Sequence, residues 1–160
     1  MNRSILERFV LRARRAAGLR DMVNVLVTNN AELKSLNRQF LGKDKPTDVL
    51  SFPAPPASGA KSKRLAGEMA ISADTARDNA RLFHHSVADE VKILALHGIL
   101  HLAGYDHERD NGEMARKEMR LRRQLHLEAA LIERAQPHVD GVPIPHKRRD
   151  RPPAIRRRTA

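Results

Sequence analysis

The spacing of apolar side chains in the first quarter of the chain predicts a helix, a strand and a second helix. Apolar residues recur every three or four positions over residues 5–17, which predicts an amphipathic helix that ends at Gly18. Alternating valines predict a strand over residues 22–28. Asn29 and Asn30 are good caps for a short helix that carries Leu33, Leu36 and Phe40 and stops at Gly42.

The remaining pattern predicts two more strands and three more helices. Strands are expected over residues 47–52 and 65–71, separated by a Pro/Gly/Ser/Lys segment, residues 53–64, which we interpret as a flexible loop. Helical patterns follow over residues 72–83, 87–102 and 110–135. The second of these is apolar nearly all round and is expected to be buried. The sequence therefore predicts an α+β fold, a single domain in which a small mixed sheet packs against several helices.

Composition narrows the class of protein. The chain has 160 residues, of which 41% are hydrophobic and 31% charged, as expected for one globular domain. No apolar run approaches the roughly 20 residues of a membrane span, and the arginine-rich N-terminus has no signal-peptide pattern, so we expect a cytoplasmic protein. The absence of cysteine excludes disulfides, thiolate nucleophiles and cysteine-ligated metals, so any metal must be held by nitrogen and oxygen.

The net charge of +11 points to a polyanionic partner. Residues 137–160 contain seven Lys or Arg and two Asp, and we expect them to form a basic, Pro-rich disordered tail. Residues 1–136, the expected folded domain, still carry +6, which favours nucleic acid over a membrane surface. Aromatic residues make up only 3% of the chain, so phosphate contacts should dominate over base stacking.

The end of the buried helix carries the strongest chemical signal, a His-x3-His-x2-Gly-x2-His array. His97 and His101 are four positions apart and so lie on one helix face. Gly104 can adopt the left-handed conformation that ends a helix, which would bring His107 back to the same point as a third ligand. The other histidines, His84, His85, His126, His138 and His146, are interpreted as ordinary core or surface residues.

Three neutral imidazoles suit a single Zn²⁺ ion with one open tetrahedral position, where bound water has a pKa near roughly 7. The alternative is a closed structural site with Asp106 or another side chain as fourth ligand. Zinc proteases of the metzincin type share the histidine spacing but place a glutamate directly after the first histidine, where this chain has Gly98. That glycine disfavours peptide hydrolysis.

Three segments, in order and spacing, resemble the YbeY family of bacterial endoribonucleases. They are Leu36-Asn37 with residues 43–53, residues 67–72, and residues 97–107, and the likeness extends over roughly residues 20–135. The resemblance implies a zinc-dependent, single-strand-specific endoribonuclease that acts in ribosomal RNA processing, notably at the 3′ end of 16S rRNA, and in ribosome quality control. It also implies that His97, His101 and His107 bind the zinc and that the small ribosomal subunit is a partner.

One position departs from that family. The family usually has an arginine after the aromatic residue that precedes Gly-Lys-Asp, and here the residue is Leu41. Lys43 and Lys45 are our candidate phosphate-binding residues, and Arg38 is a further possible substitute, although a lysine cannot reproduce bidentate guanidinium contacts. Glu68 is a possible base, and the catalytic acid and base are left unassigned. Two other functions stay open: a ribosome-associated assembly factor with a mainly structural zinc, and a zinc peptidase.

Overall fold

A computed structural model describes residues 2–55 and 64–127 of the chain, and these form an α+β domain as predicted. The described part contains five helices and three strands. In chain order they are α1 (Arg3–Ala16), β1 (Met22–Thr28), α2 (Asn30–Leu41), β2 (Val49–Pro53), β3 (Leu65–Ser72), α3 (Ala73–Leu82), α4 (Val87–Leu102) and α5 (Glu113–Gln124).

The sheet is mixed, as predicted, with strand order β1-β3-β2. Strand β3 lies in the middle, parallel to β1 and antiparallel to β2. Its parallel neighbour is reached through α2, whereas its antiparallel neighbour precedes it directly in the chain. In register, Ser51 of β2 lies opposite Met69 of β3, and Pro53 lies opposite Gly67.

The two faces of the sheet pack against different helices because side chains alternate along a strand. Leu50 and Ala70 point to the side of α2 and form a small apolar cluster with Leu33. Val49, Met69 and Ile71 belong to the main core, which is built around α4. That helix packs against α1, α3, α5 and both β2 and β3, which explains why its sequence is apolar nearly all round. The core therefore holds α4 from every side.

Most helix ends follow the predicted capping residues. Asn29, Ser72 and Ser86 cap α2, α3 and α4 by accepting hydrogen bonds from the backbone N–H groups three residues later. Gly42 ends α2 in the left-handed conformation, with φ of 65°. Since each cap satisfies N–H or C=O groups that the helix leaves open, the sequence fixes these boundaries locally.

The last helix is shorter than predicted. The pattern indicated a helix over residues 110–135, but α5 begins at Glu113 and ends at Gln124. The carboxylate of Asp110 accepts hydrogen bonds from the N–H groups of Gly112, Glu113 and Met114, so it caps the helix from outside. After Gln124 the backbone leaves the helix, and His126 has a φ of 59°.

Three sequence predictions lie largely or wholly outside the described residues. They are the central part of the predicted loop, residues 56–63, the inward position of Ile132, and the basic tail, residues 137–160. Among the helices of the described residues, none has both the length and the apolar character that crossing a bilayer requires.

Candidate metal centre

Helix α4 presents two histidines on one buried face. His97 and His101 are one helical turn apart, and their side-chain rings lie with centroids 4.7 Å from each other. The two Nε2 atoms are 3.1 Å apart. Both residues are more than nine-tenths buried. The prediction that these two imidazoles converge on one point is confirmed.

The turn after α4 brings His107 to the same point. Gly104 has a φ of 95°, and its N–H donates to the carbonyl of His101, while the N–H of Tyr105 donates to the carbonyl of Leu100. This closure reverses the chain, as predicted for Gly104. The ring centroid of His107 then lies 5.4 Å from that of His97 and 5.2 Å from that of His101. One nitrogen from each of the three rings lies within 4.8 Å of the other two, so the cluster could hold a metal ion.

Hydrogen bonds on the outer side of the cluster fix which ring nitrogens face inward. The Nδ1 atom of His97 lies 3.0 Å from a carboxylate oxygen of Glu118, and Nδ1 of His101 lies 3.1 Å from the carbonyl oxygen of Tyr105. Because carbonyl and carboxylate oxygens only accept, both Nδ1 atoms must carry the hydrogen. Two Nε2 lone pairs then face each other across 3.1 Å, an arrangement that a cation between them stabilises.

The protonation of His101 also favours metal binding. Burial, followed by the positive charges of His97 and His107, lowers the pKa of His101 from 6.5 to about 4. The imidazole of His101 is therefore neutral at physiological pH, which is the form that coordinates a metal.

His107 supplies the fit test for a bound ion. Both of its ring nitrogens are buried, and neither has a hydrogen-bond partner within residues 2–55 and 64–127. Such atoms are costly in a folded protein unless something else satisfies them. Tetrahedral coordination at 2.0–2.1 Å separates two ligand nitrogens by about 3.3 Å, close to the observed Nε2 separation for His97 and His101. The donor set and its spacing thus fit a divalent transition-metal ion.

No carboxylate of the described residues joins the three histidines in the cluster. Asp106, the alternative fourth ligand, instead holds the turn: its carboxylate accepts from the N–H of Glu108 at 3.1 Å and lies 3.5 Å from the Arg109 guanidinium. Glu68, considered as a base, lies on β3 and accepts a hydrogen bond from Asn24. In tetrahedral coordination the three imidazoles leave one position for solvent or substrate.

Gly98, between the two α4 histidines, faces the sheet. A Cβ atom built there would lie 3.0 Å from the Ser51 Oγ and 3.2 Å from the Met69 side chain. A glutamate at this position would have to enter the packed contact between α4 and the sheet. The structure therefore gives a steric reason for the glycine and agrees with the prediction that it disfavours a peptidase.

The phosphate-binding candidates lie in the turn between α2 and β2. Lys43 is half-buried and Lys45 exposed. The buried amide of Asn37 donates to the carbonyl of Lys45 at 2.9 Å and so fixes the turn. Strand β2, which follows, reaches α4 where the Ser51 hydroxyl donates to the carbonyl of Gly98. The lysines are thus outside the histidine cluster, on the segment that leads to it.

Leu41, the departure from the family pattern, has a packing role. Its side chain is half-buried and packs against the cluster of Leu33, Leu50 and Ala70. Arg38 is exposed one turn earlier on α2. Position 41 therefore contributes apolar contact where the resemblance implied a cation.

Sequence reasoning missed two residues next to the cluster, Glu118 and Arg122 of α5. Glu118 pairs with His97 on one side and with Arg122 on the other. The spacing of Glu118 and Arg122, four residues apart, also occurs in surface ion pairs of exposed helices, so the pattern gave no sign of burial. Burial alone raises the pKa of Glu118, but the hydrogen bond and charge of His97 and the charge of Arg122 outweigh it and lower the pKa to about 2.

A small α+β domain with three imidazoles converging on one buried point belongs to the class of His-ligated metal-site proteins. Comparison with known families agrees with the sequence resemblance: the family model of endoribonuclease YbeY matches residues 2–130. The chain belongs to the YbeY family. This membership favours an RNA-cleaving hydrolase over the peptidase and assembly-factor alternatives.

Curated relatives and a solved structure extend the comparison. Endoribonuclease YbeY of Koribacter versatilis is 54% identical over 129 residues, 81% of each chain. The protein of the same name from Nautilia profundicola is 49% identical over 112 residues, 70% of this chain and 78% of the relative. The solution structure of TM1509 from Thermotoga maritima matches with a TM-score of 0.53 and 28% identity, over 84% of this chain and 91% of that chain.

Proposed function

We propose that this protein is a zinc-dependent endoribonuclease that hydrolyses single-stranded RNA, acting in the cytoplasm in ribosomal RNA processing at the 3′ end of 16S rRNA and in ribosome quality control. The observation that carries the proposal is the convergence of His97, His101 and His107 in a chain of the YbeY family. The small ribosomal subunit is the proposed partner.

The proposed ligands are the Nε2 atoms of His97 and His101 and one ring nitrogen of His107. When bound, the ion supplies Lewis-acid stabilisation of charge on a phosphodiester and acidifies water. Zinc is favoured because the donors are three imidazoles, with no thiolate in the chain, and three protein ligands with an open fourth position are typical of catalytic zinc. The outward hydrogen bonds of His97 and His101 hold both rings in the ligating tautomer.

Substrate binding is proposed to rest on charge rather than stacking. Lys43 and Lys45 lie on a turn that Asn37 fixes, and we assign them to phosphates that flank the scissile bond. The basic tail, residues 137–160, adds affinity without a role in cleavage, and residues 1–136 form the catalytic domain. Removing both lysines should flatten the salt dependence of RNA binding by about 0.7 per lost phosphate contact.

The test of the activity is cleavage of a labelled single-stranded RNA, with duplex RNA and a casein peptide as rival substrates. We expect cleavage of the single strand only, loss with a chelator and recovery on adding zinc. His97→Ala should be inactive, and His126→Asn, an exposed histidine with φ of 59° that Asn tolerates, should cleave like the parent protein. Cleavage that survives in both the chelator and His97→Ala would overturn the metal-dependent mechanism.

Elemental analysis of the purified protein tests the metal, with one zinc per chain expected. The substrate contacts are tested by RNA binding at several salt concentrations for Lys43→Ala/Lys45→Ala, with Arg3→Ala at the far end of α1 as the matched loss of one exposed cation. A truncation after residue 136 should keep the cleavage rate at saturating RNA. Binding to ribosomal subunits without any cleavage would instead support an assembly factor.

A further inference from the structure

A buried chain of charged side chains links the candidate metal centre to α5. Oε2 of Glu118 lies 3.0 Å from Nδ1 of His97, and Oε1 of Glu118 is hydrogen bonded to the Arg122 guanidinium. The side chains of Glu118 and Arg122 are only 13% and 7% exposed. A buried ion pair costs desolvation energy that hydrophobic residues of similar size would avoid, so its presence beside the cluster calls for a role.

The three histidines differ in what orients them. His101 donates to a backbone carbonyl, that of Tyr105, which the turn after α4 fixes. His107 has no hydrogen-bond partner within the described residues. His97 has a side-chain carboxylate as the partner of its Nδ1. A substitution at one position can therefore change the tautomer of His97 and leave the rest of the cluster in place.

We propose that Glu118 is a positioning residue of the metal centre: held by Arg122, it keeps the hydrogen of His97 on Nδ1 and so turns the Nε2 lone pair toward the metal. The inference rests on the proposed function, because it assigns Glu118 a role at the same metal site. A carboxylate behind a metal-bound histidine fixes the ring and raises its basicity, and losing such a partner typically costs roughly 10–100-fold in metal affinity.

Arg122 makes the effect of an amide at position 118 predictable. In Glu118→Gln only one oxygen remains, and the charged guanidinium of Arg122 competes for it more strongly than the neutral ring of His97. The amide NH₂ then faces Nδ1 of His97 and needs an acceptor there. This moves the ring hydrogen to Nε2, where it blocks coordination.

The decisive measurement is the ¹⁵N NMR spectrum of the histidine rings in metal-free full-length protein, together with zinc affinity from competition with a chromophoric chelator. In the parent protein we expect His97 with hydrogen on Nδ1. In Glu118→Gln we expect hydrogen on Nε2 and zinc affinity lowered by roughly 10–100-fold. Glu113→Gln, an exposed position on the same helix, is the matched control and should change neither quantity.

A double variant separates positioning from general stability. Glu118→Gln/Arg122→Met removes the competing guanidinium, so the amide oxygen can turn to His97, and the Nδ1–H tautomer and part of the zinc affinity should return. Glu118→Gln with an unchanged tautomer and affinity, or a double variant without recovery, would overturn the inference while leaving zinc-dependent cleavage by the parent protein intact. A parent protein that binds no zinc would instead refute the proposed function itself.

Discussion

The buried pair of His85 and Glu90 offers a prediction about what holds the metal-bearing helix in place. Glu90, in the first turn of α4, is fully buried, and its Oε2 lies 2.7 Å from Nε2 of His85. Its other oxygen accepts from the amide of Asn79 at 2.9 Å. The perturbation is His85→Leu, which keeps the side-chain bulk but removes the partner of one carboxylate oxygen.

The expected cost is about 3 kcal/mol. Breaking a buried pair by removing one partner typically costs 3–5 kcal/mol, and we take the lower end because Asn79 still satisfies one oxygen. Against a total stability of roughly 5–15 kcal/mol, this is a large fraction. Adding Glu90→Leu removes the unpaired carboxylate, so the double variant should recover roughly 1 kcal/mol or more of what His85→Leu loses.

The assay is urea unfolding at pH 7, followed by far-UV circular dichroism with a chelator present so that metal binding does not contribute. His84→Asn is the control, because His84 is exposed with a φ of 55° and should change stability by less than about 0.5 kcal/mol. The reasoning fails if His85→Leu unfolds within 1 kcal/mol of the parent protein, or if the double variant is less stable than His85→Leu.

Three further predictions concern the site and its support. Gly98→Glu should destabilise the fold by several kcal/mol, because the carboxylate must enter the contact with Ser51, and casein assays should show no gain of peptidase activity. Below its unfolded pKa of 6.5 His101 binds a proton more readily in the unfolded chain, since its folded pKa is about 4, so metal-free stability should fall by about 3 kcal/mol between pH 6.5 and 4. Urea midpoints across that range should show the fall, and His101→Gln should flatten it. Gly67→Ala places a Cβ 2.4 Å from the backbone oxygen of Phe52 and should cost about 3 kcal/mol in thermal unfolding; a loss under 1 kcal/mol would contradict this packing.

The helix boundaries show where local sequence is sufficient. Ser86 and Asp89 predicted the start of α4, and the observed helix is Val87–Leu102, because a cap is an interaction between near neighbours in the chain. The end of α5 shows the opposite. The apolar spacing continues through Leu125, which is buried, although the helix has already ended at Gln124. Periodicity reports which side chains face the core and does not report the backbone conformation that places them there.

The sequence alone determined the three ligand positions and the class of chemistry, because His97, His101 and His107 are close in the chain and one helical turn plus one glycine turn brings them together. Only the tertiary structure decided the tautomer of His97. The acceptor on its Nδ1 is Glu118, 21 residues away on another helix, and nothing in the local pattern distinguishes this carboxylate from a solvated one. The contact exists because α5 packs against α4, and such packing depends on surfaces assembled from distant parts of the chain.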